Sequence, residues 1–156
     1  MRGQKIILIV LWLLGSCQLG FGQEWLLKLT PLETNISQLK TMFVEKPEKK
    51  GNDQLFYRLK EGNLIVDFSL GRCVETVAGS WDASEGTLLY VIFYPRKHVR
   101  PSHYDLPTED LKIGIDHGNR TYTSKTLGIY YTVYSSKLTG VHLFPASKYD
   151  GAKCPS

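Results

Sequence analysis

Between residues 55 and 143 the apolar residues recur in runs at every second position, a period that places them on one face of β-strands rather than on a helix. Leu55, Tyr57 and Leu59 share a face, and Lys60-Glu61-Gly62-Asn63 then turns the chain. Leu64, Val66, Phe68 and Leu70 share the next face, with Asn63, Ile65, Asp67 and Ser69 opposite, which reads as a hairpin with one side on a core. Leu88 to Tyr94 is apolar at every position and stops at Pro95, so it is predicted as a central strand covered on both faces. Ile129, Tyr131 and Val133 alternate again, and Val141 with Leu143 supply their hairpin partner across residues 135–140.

One stretch keeps a helical period instead. Leu32, Ile36, Leu39 and Phe43 fall on one face of an amphipathic helix. Thr30-Pro31-Leu32-Glu33 reads as its capping box, with Pro at the first helical position and Thr34 as a second N-cap candidate. Pro47 and the charged run to Asp53 end the element. Residues 74–86 read as a Gly/Ser/Asp loop around Trp81. Residues 95–126 read as a second polar connection, with a short helical turn at Thr108–Leu111 and a tight turn at Asp116-His117-Gly118-Asn119. The expected fold is α+β, an N-terminal helix packed on an antiparallel β-sheet built from hairpins, forming a single domain over residues 24–156.

The first 22 residues read as an address. Met1 to Lys5 is basic, Ile6 to Leu14 is unbroken apolar chain, and small residues follow, the order of a secretory signal peptide. The apolar run is too short to span a bilayer. Gly20-Phe21-Gly22 suits cleavage before Gln23 and a secreted or periplasmic domain. Leu14-Gly15-Ser16-Cys17 resembles a bacterial lipobox, and lipidation at Cys17 would anchor the domain to the bacterial envelope instead. Setting Cys17 aside leaves Cys73 and Cys154, an even pair in an oxidising compartment and therefore a predicted disulfide; a catalytic thiol is the rival use. Two glycosylation sequons, at Asn35 and Asn119, matter only in a eukaryotic lumen.

Thr30-Pro31-Leu32 before a helix, Phe43 to Pro47, and a Tyr57-centred hairpin ending in Gly71-Arg72-Cys73 resemble a group of small exported bacterial proteins of unknown function. Gly79-Ser80-Trp81, the strand through Tyr94-Pro95, Leu127-Gly128-Ile129 and Lys153-Cys154-Pro155 continue the likeness over nearly the whole mature chain. The helix-then-hairpin opening also resembles the fold shared by the β-lactamase inhibitor protein and the small lipoprotein of the barrel-assembly machinery. Both are interaction modules, and the resemblance implies that role here.

Composition narrows the chemistry. Hydrophobic residues make up 42% and charged residues 22%, which places the chain among globular domains. Removing Arg2 and Lys5 with the signal leaves 17 basic against 15 acidic residues, too even a balance to imply nucleic acid. Ser69, Ser80 and Ser84 lack the flanks of a nucleophile elbow, and no phosphate-cradling glycine loop occurs. His98, His103 and Asp105 fit no metal spacing, and Asp116 and His117, as neighbours in a turn, are expected to point apart. His142 is expected on the sheet surface. No catalytic residue, metal or cofactor is therefore assigned.

Two groups of residues remain as binding candidates. Arg96, Lys97 and Arg100 form the densest basic patch, and Tyr130, Tyr131 and Tyr134 offer large contact area for little rotamer entropy. The leading expectation is a non-catalytic module binding a protein or cell-envelope component, touching membrane only through a lipid at Cys17. The alternatives are a small extracytoplasmic hydrolase using residues of loops 74–86 and 95–126, and a carrier of a small apolar ligand between helix and sheet.

Overall fold

The computed structural model describes residues 25–155; the predicted signal segment 1–22 and Cys17 lie outside the described residues. The strands are β1 Glu48–Lys50, β2 Gln54–Arg58, β3 Gly62–Phe68, β4 Glu75–Thr76, β5 Gly79–Ser80, β6 Leu88–Pro95, β7 Lys112–Asp116, β8 Asn119–Ser124, β9 Ile129–Tyr134 and β10 Lys137–Leu143. Eight of them form one antiparallel sheet in the order β1-β2-β3-β6-β10-β9-β8-β7, and β4 with β5 makes a separate small hairpin. With the helix α1 (Ile36–Met42), the fold is α+β and mostly sheet.

The alternation read from the sequence sets which face is buried. Leu64, Val66 and Phe68 of β3, Val91 and Phe93 of β6, Val141 and Leu143 of β10 and Ile129, Tyr131 and Val133 of β9 all enter one core cluster. Leu26, Leu29, Leu39, Tyr104 and Leu106 close the same cluster. Trp25, Phe93 and Tyr104 meet edge to face, with ring centroids 5.1 and 5.2 Å apart. Gly62 is required where β3 starts beside β6, because a Cβ there would lie 2.2 Å from the Tyr94 carbonyl oxygen.

Several local expectations are corrected. The helix starts at Ile36, not Pro31, and Asn35 is its N-cap. Asn35 Oδ1 accepts from the Ser37 and Gln38 amides at 3.0 Å each, and Gln38 Oε1 accepts from the Asn35 amide at 2.8 Å. Thr30–Thr34 is a turn instead, because the Leu32 amide donates to the Leu88 carbonyl at 2.7 Å and Leu32 takes φ +67°. Phe43 lies past the helix end in extended conformation, so the predicted four-residue face is only partly helical.

The charged run after Pro47 does not simply end the helix. It forms edge strand β1, where Glu48 pairs with Arg58 at 2.9 Å and the Lys50 ammonium sits 4.6 Å from the Phe56 ring. Asp67 and Ser69, expected opposite the core on an exposed face, are buried. The largest departure is β7–β8, a hairpin inside the stretch read as a polar connection. Its turn falls where predicted, with His117 and Gly118 at positive φ. No helical turn forms at 108–111; it lies earlier, at Pro101–Tyr104, where Pro101 supplies the fixed φ. The β9–β10 turn is a tight pair, Ser135 and Ser136, rather than the longer 135–140 connection.

Cys73 and Cys154 form the predicted disulfide, across a sequence separation of 81 residues. Around it the chain end is stitched to the 74–86 segment, with Asp82 donating to Ala152 at 2.7 Å and Cys154 to Ser80 at 3.1 Å. Replacing both cysteines by alanine is expected to cost about 4 kcal/mol from the long loop released. Denaturant unfolding of the oxidised protein beside the double variant measures it. Tyr57 is the opposite case, because its buried hydroxyl has no hydrogen-bond partner among the described residues. Tyr57→Phe is expected to raise stability by about 1 kcal/mol, read as a melting temperature higher by a few degrees.

Candidate functional site

One face of the sheet is covered by residues 25–43 and 101–106; the other carries the polar members of the alternation. Register aligns them in two neighbouring rows. Gln54, Asp67 and Tyr90 stand opposite one another on β2, β3 and β6. Phe56, Ile65, Ile92, His142, Tyr130 and Thr123 make the next row, running from β2 to β8. Tyr94 lies one step beyond, on β6 opposite Asn63.

These groups are tied to one another. Gln54 Nε2 donates to Asp67 Oδ1 at 2.7 Å, and Tyr90 Oη lies 2.8 Å from His142 Nδ1. Tyr90, Tyr94 and Tyr130 surround the imidazole, with ring centroids 5.9, 6.4 and 5.3 Å from it. A cavity of about 560 Å³ opens at the Asp67 end of the face. It is bounded by Gln54, Asp67 and Tyr90 on the strands, by Trp81, and across the gap by Lys125 and Asp150.

Burial sets the charge states. Asp67 is 3% exposed, and desolvation pushes its carboxyl above the ordinary value; the Gln54 bond pulls back down and the Asp53 charge adds to the rise. Desolvation likewise lowers His142 below the usual imidazole value and raises Tyr90, which also feels Asp67. Tyr90 and His142 therefore meet as a protonated phenol and a neutral imidazole near neutral pH, a hydrogen-bonding pair without charge.

The sequence candidates scatter over the molecule. Tyr130 is half-buried on this face beside His142, and Tyr134 on the same strand is 59% exposed. Tyr131 points the other way, is 1% exposed, stacks on Tyr122 and donates its hydroxyl to Pro107 O at 2.7 Å; it is a core residue, not a contact residue. The alternation that puts Tyr130 outward requires this of its neighbour. Arg96, Lys97 and Arg100 are exposed in the connection after β6, at the end of that strand remote from the Asp67 cavity. Arg100 shares a polar groove of about 590 Å³ with Arg120, Ser102, Ser135 and Ser136.

Loops 74–86 and 95–126 do not pool acids and histidines into one cleft. At the Asp67 cavity they contribute Val77, Ala78, Trp81 and Lys125, while the titratable pair Asp67 and Tyr90 comes from strands. Asp116 and His117 do meet, contrary to expectation, at 2.6 Å, because the tight turn folds the exposed imidazole back on the carboxylate. Beside α1 an open groove of about 480 Å³ runs between Ile36 and Lys40 of the helix and Leu55, Phe68 and Ser69 of the sheet. An apolar cavity of about 320 Å³ lies elsewhere, between Leu27, Leu29, Pro107, Leu127, Ile129 and Leu143. Asp67, Tyr90 and Gln54 are not among the sequence candidates; Asp67 alone carries a signal, as a carboxylate inside an alternating run, whereas Tyr90 lies in a run that is apolar throughout.

Comparison with protein-family models, with curated proteins and with solved structures finds no match to this chain.

The charge states have opposite pH signatures. The contribution of neutral His142 is fully present above the ordinary imidazole value near 6.5 and is lost as pH falls through it. The contribution of neutral Asp67 is present in acid and is lost as pH rises through its raised value. Asp67→Asn is accordingly expected to stabilise the fold at pH 7. By NMR the His142 ring should titrate below 6.5 and stay there in Tyr90→Phe, since burial and not the phenol holds it down.

Proposed function

We propose that this protein is an exported, non-catalytic interaction module that grips a protein or cell-envelope component with the open face of its sheet. The observation that carries this reading is the ring cluster of Tyr90, Tyr94 and Tyr130 around His142, on the face that neither α1 nor residues 101–106 cover. Tyrosine and neutral imidazole combine apolar area with hydrogen bonding, which suits a surface that is wet when free and dry when bound. Tyr94 and Tyr134 are its exposed members, at 45% and 59%.

Export is part of the proposal. The apolar run at residues 6–14 and the Cys73–Cys154 bond support a secreted or periplasmic domain, with an envelope anchor at Cys17 as the alternative. Among the described residues no helix is long and apolar enough to cross a membrane. The proposed likeness to the β-lactamase inhibitor protein and the barrel-assembly lipoprotein is supported only by the opening helix and hairpin, and it points to the same class of role.

A second reading, a small extracytoplasmic hydrolase, is favoured by one observation: a raised carboxyl at Asp67 beside the 560 Å³ cavity. A hydrolytic activity of the purified protein that Asp67→Asn abolishes would decide for it.

The direct test is a photo-crosslinking residue placed at Tyr94 or Tyr134 in the exporting cell, with a control at Val44, which is 99% exposed and lies beyond α1. One partner is expected at both tyrosine positions and not at the control. Tyr94→Ala with Tyr134→Ala should then weaken the purified complex by tenfold or more, on the order of 2 kcal/mol, without lowering the melting temperature. Equal capture at Val44 would overturn the assignment of the face.

A further inference from the structure

The two edges of the sheet differ in kind. Edge strand β1 is Glu48-Lys49-Lys50, three exposed charged residues, the usual protection against pairing with another chain. Edge strand β7 is Lys112-Ile113-Gly114-Ile115-Asp116, paired with β8 along its whole length and with nothing on its other side among the described residues. Ile113 is 69% and Ile115 82% exposed. A five-residue edge with free backbone groups and two exposed isoleucines is an incomplete surface.

The strand is also complementary to itself. We infer that the free edge of β7 pairs with the same edge of a second copy of this chain, antiparallel and centred on Gly114. In that register Lys112 of each copy stands opposite Asp116 of the other, Ile113 opposite Ile115, and Gly114 opposite Gly114. Opposite charges facing each other across a ladder stabilise it, and here they do so twice by symmetry. Lys112 has no ion-pair partner among the described residues, and Asp116, which meets His117 of its own turn, stays exposed on the same side of the strand.

Geometry limits the alternatives. Two copies of one strand join a continuous sheet edge to edge only about a two-fold axis perpendicular to it, so facing residues must share a face. Centring on Ile113 would set Asp110 against Asp116, and centring on Ile115 would run the strand into the partner's His117–Gly118 turn. Only the Gly114 register matches every pair. The isoleucines then add to the side that carries Tyr122, which Ile113 already faces across β8, while Lys112 and Asp116 fall on the open side. At the axis itself no side chain intervenes, and a Cβ on Gly114 would lie 2.7 Å from Thr121 Oγ1.

Sedimentation velocity on the purified exported protein tests this. A dimer is expected, and Lys112→Asp or Asp116→Lys should each weaken it about tenfold or more by setting like charges opposite. Both sites are exposed, so circular dichroism and melting temperature should stay those of the parent. The decisive sample is an equimolar mixture of the two single variants, in which every facing pair is again of opposite sign, and dimers should return. The double variant Lys112→Asp/Asp116→Lys should dimerise alone. A parent that stays monomeric, a dimer indifferent to single reversal, or a mixture that fails to re-form dimers would each overturn the inference.

Discussion

Strand β6 holds the two halves of the chain together. Its one edge pairs with β3, which arrives with the β1–β3 meander, and its other edge pairs with β10, the end of the β7–β10 meander. Remove that strand and a three-stranded and a four-stranded sheet remain, with nothing pairing one to the other. The pairing also fixes side-chain direction: Val91 and Phe93 enter the core while Tyr90, Ile92 and Tyr94 line the other face. Core and candidate site are thus set by the register of one eight-residue strand.

The covering layer explains why the second face has the composition it does. A seven-residue helix, the turn before it and the segment 101–106 can close only one side of an eight-stranded sheet. The remaining side must tolerate water in its middle, next to strands that are otherwise apolar. Tyrosine, histidine, glutamine and a hydrogen-bonded aspartate meet that requirement because each covers its neighbours while keeping one polar atom to hydrogen-bond. The Tyr90–His142 and Gln54–Asp67 bonds are the local result. Burial then shifts Asp67, Tyr90 and His142 each toward its neutral form.

What could be read from the sequence follows from where burial was one-sided. The β2–β3 and β9–β10 hairpins were legible because Leu64, Val66, Phe68 and Ile129, Tyr131, Val133 alternate against polar neighbours, and the disulfide was legible from two remaining cysteines. The β7–β8 hairpin was not. At the margin of the sheet β7 is largely exposed and β8 only half-buried, so Asn119–Ser124 carries threonines, an arginine and a single tyrosine where an inner strand would carry aliphatics. The helix start is not legible because Thr30-Pro31 satisfies the capping pattern locally, while the bond from Leu32 to Leu88, which prevents it, is long-range. Tyr130 and Tyr131 look alike in the sequence, and only the alternation of β9 sends Tyr131 into the core and leaves Tyr130 outside. Asp67 and Gln54 were missed for a related reason: a polar residue opposite a core row reads as solvent-facing until a second layer, here the 74–86 segment, is known to stand over it.

The unequal edges connect these points. A sheet that grows from β6 outward must stop on both sides, and the chain stops it in two ways. Toward β1 the stop is electrostatic: adjacent lysines with Glu48 turned back onto Arg58 leave a charged, short edge. Toward β7 the charges lie only at the ends of the strand, with opposite signs, and the middle is Ile-Gly-Ile. Such a pattern disfavours an arbitrary apolar strand, whose flanks would leave Lys112 unmatched, and suits its own inverse. A pair formed there would carry both open faces on the same side, because the two-fold axis stands perpendicular to the sheet. The tyrosine–histidine clusters of two copies would then form one extended surface, suited to a partner that is itself repeated or two-fold, and each copy's weak contact would be multiplied by the other's.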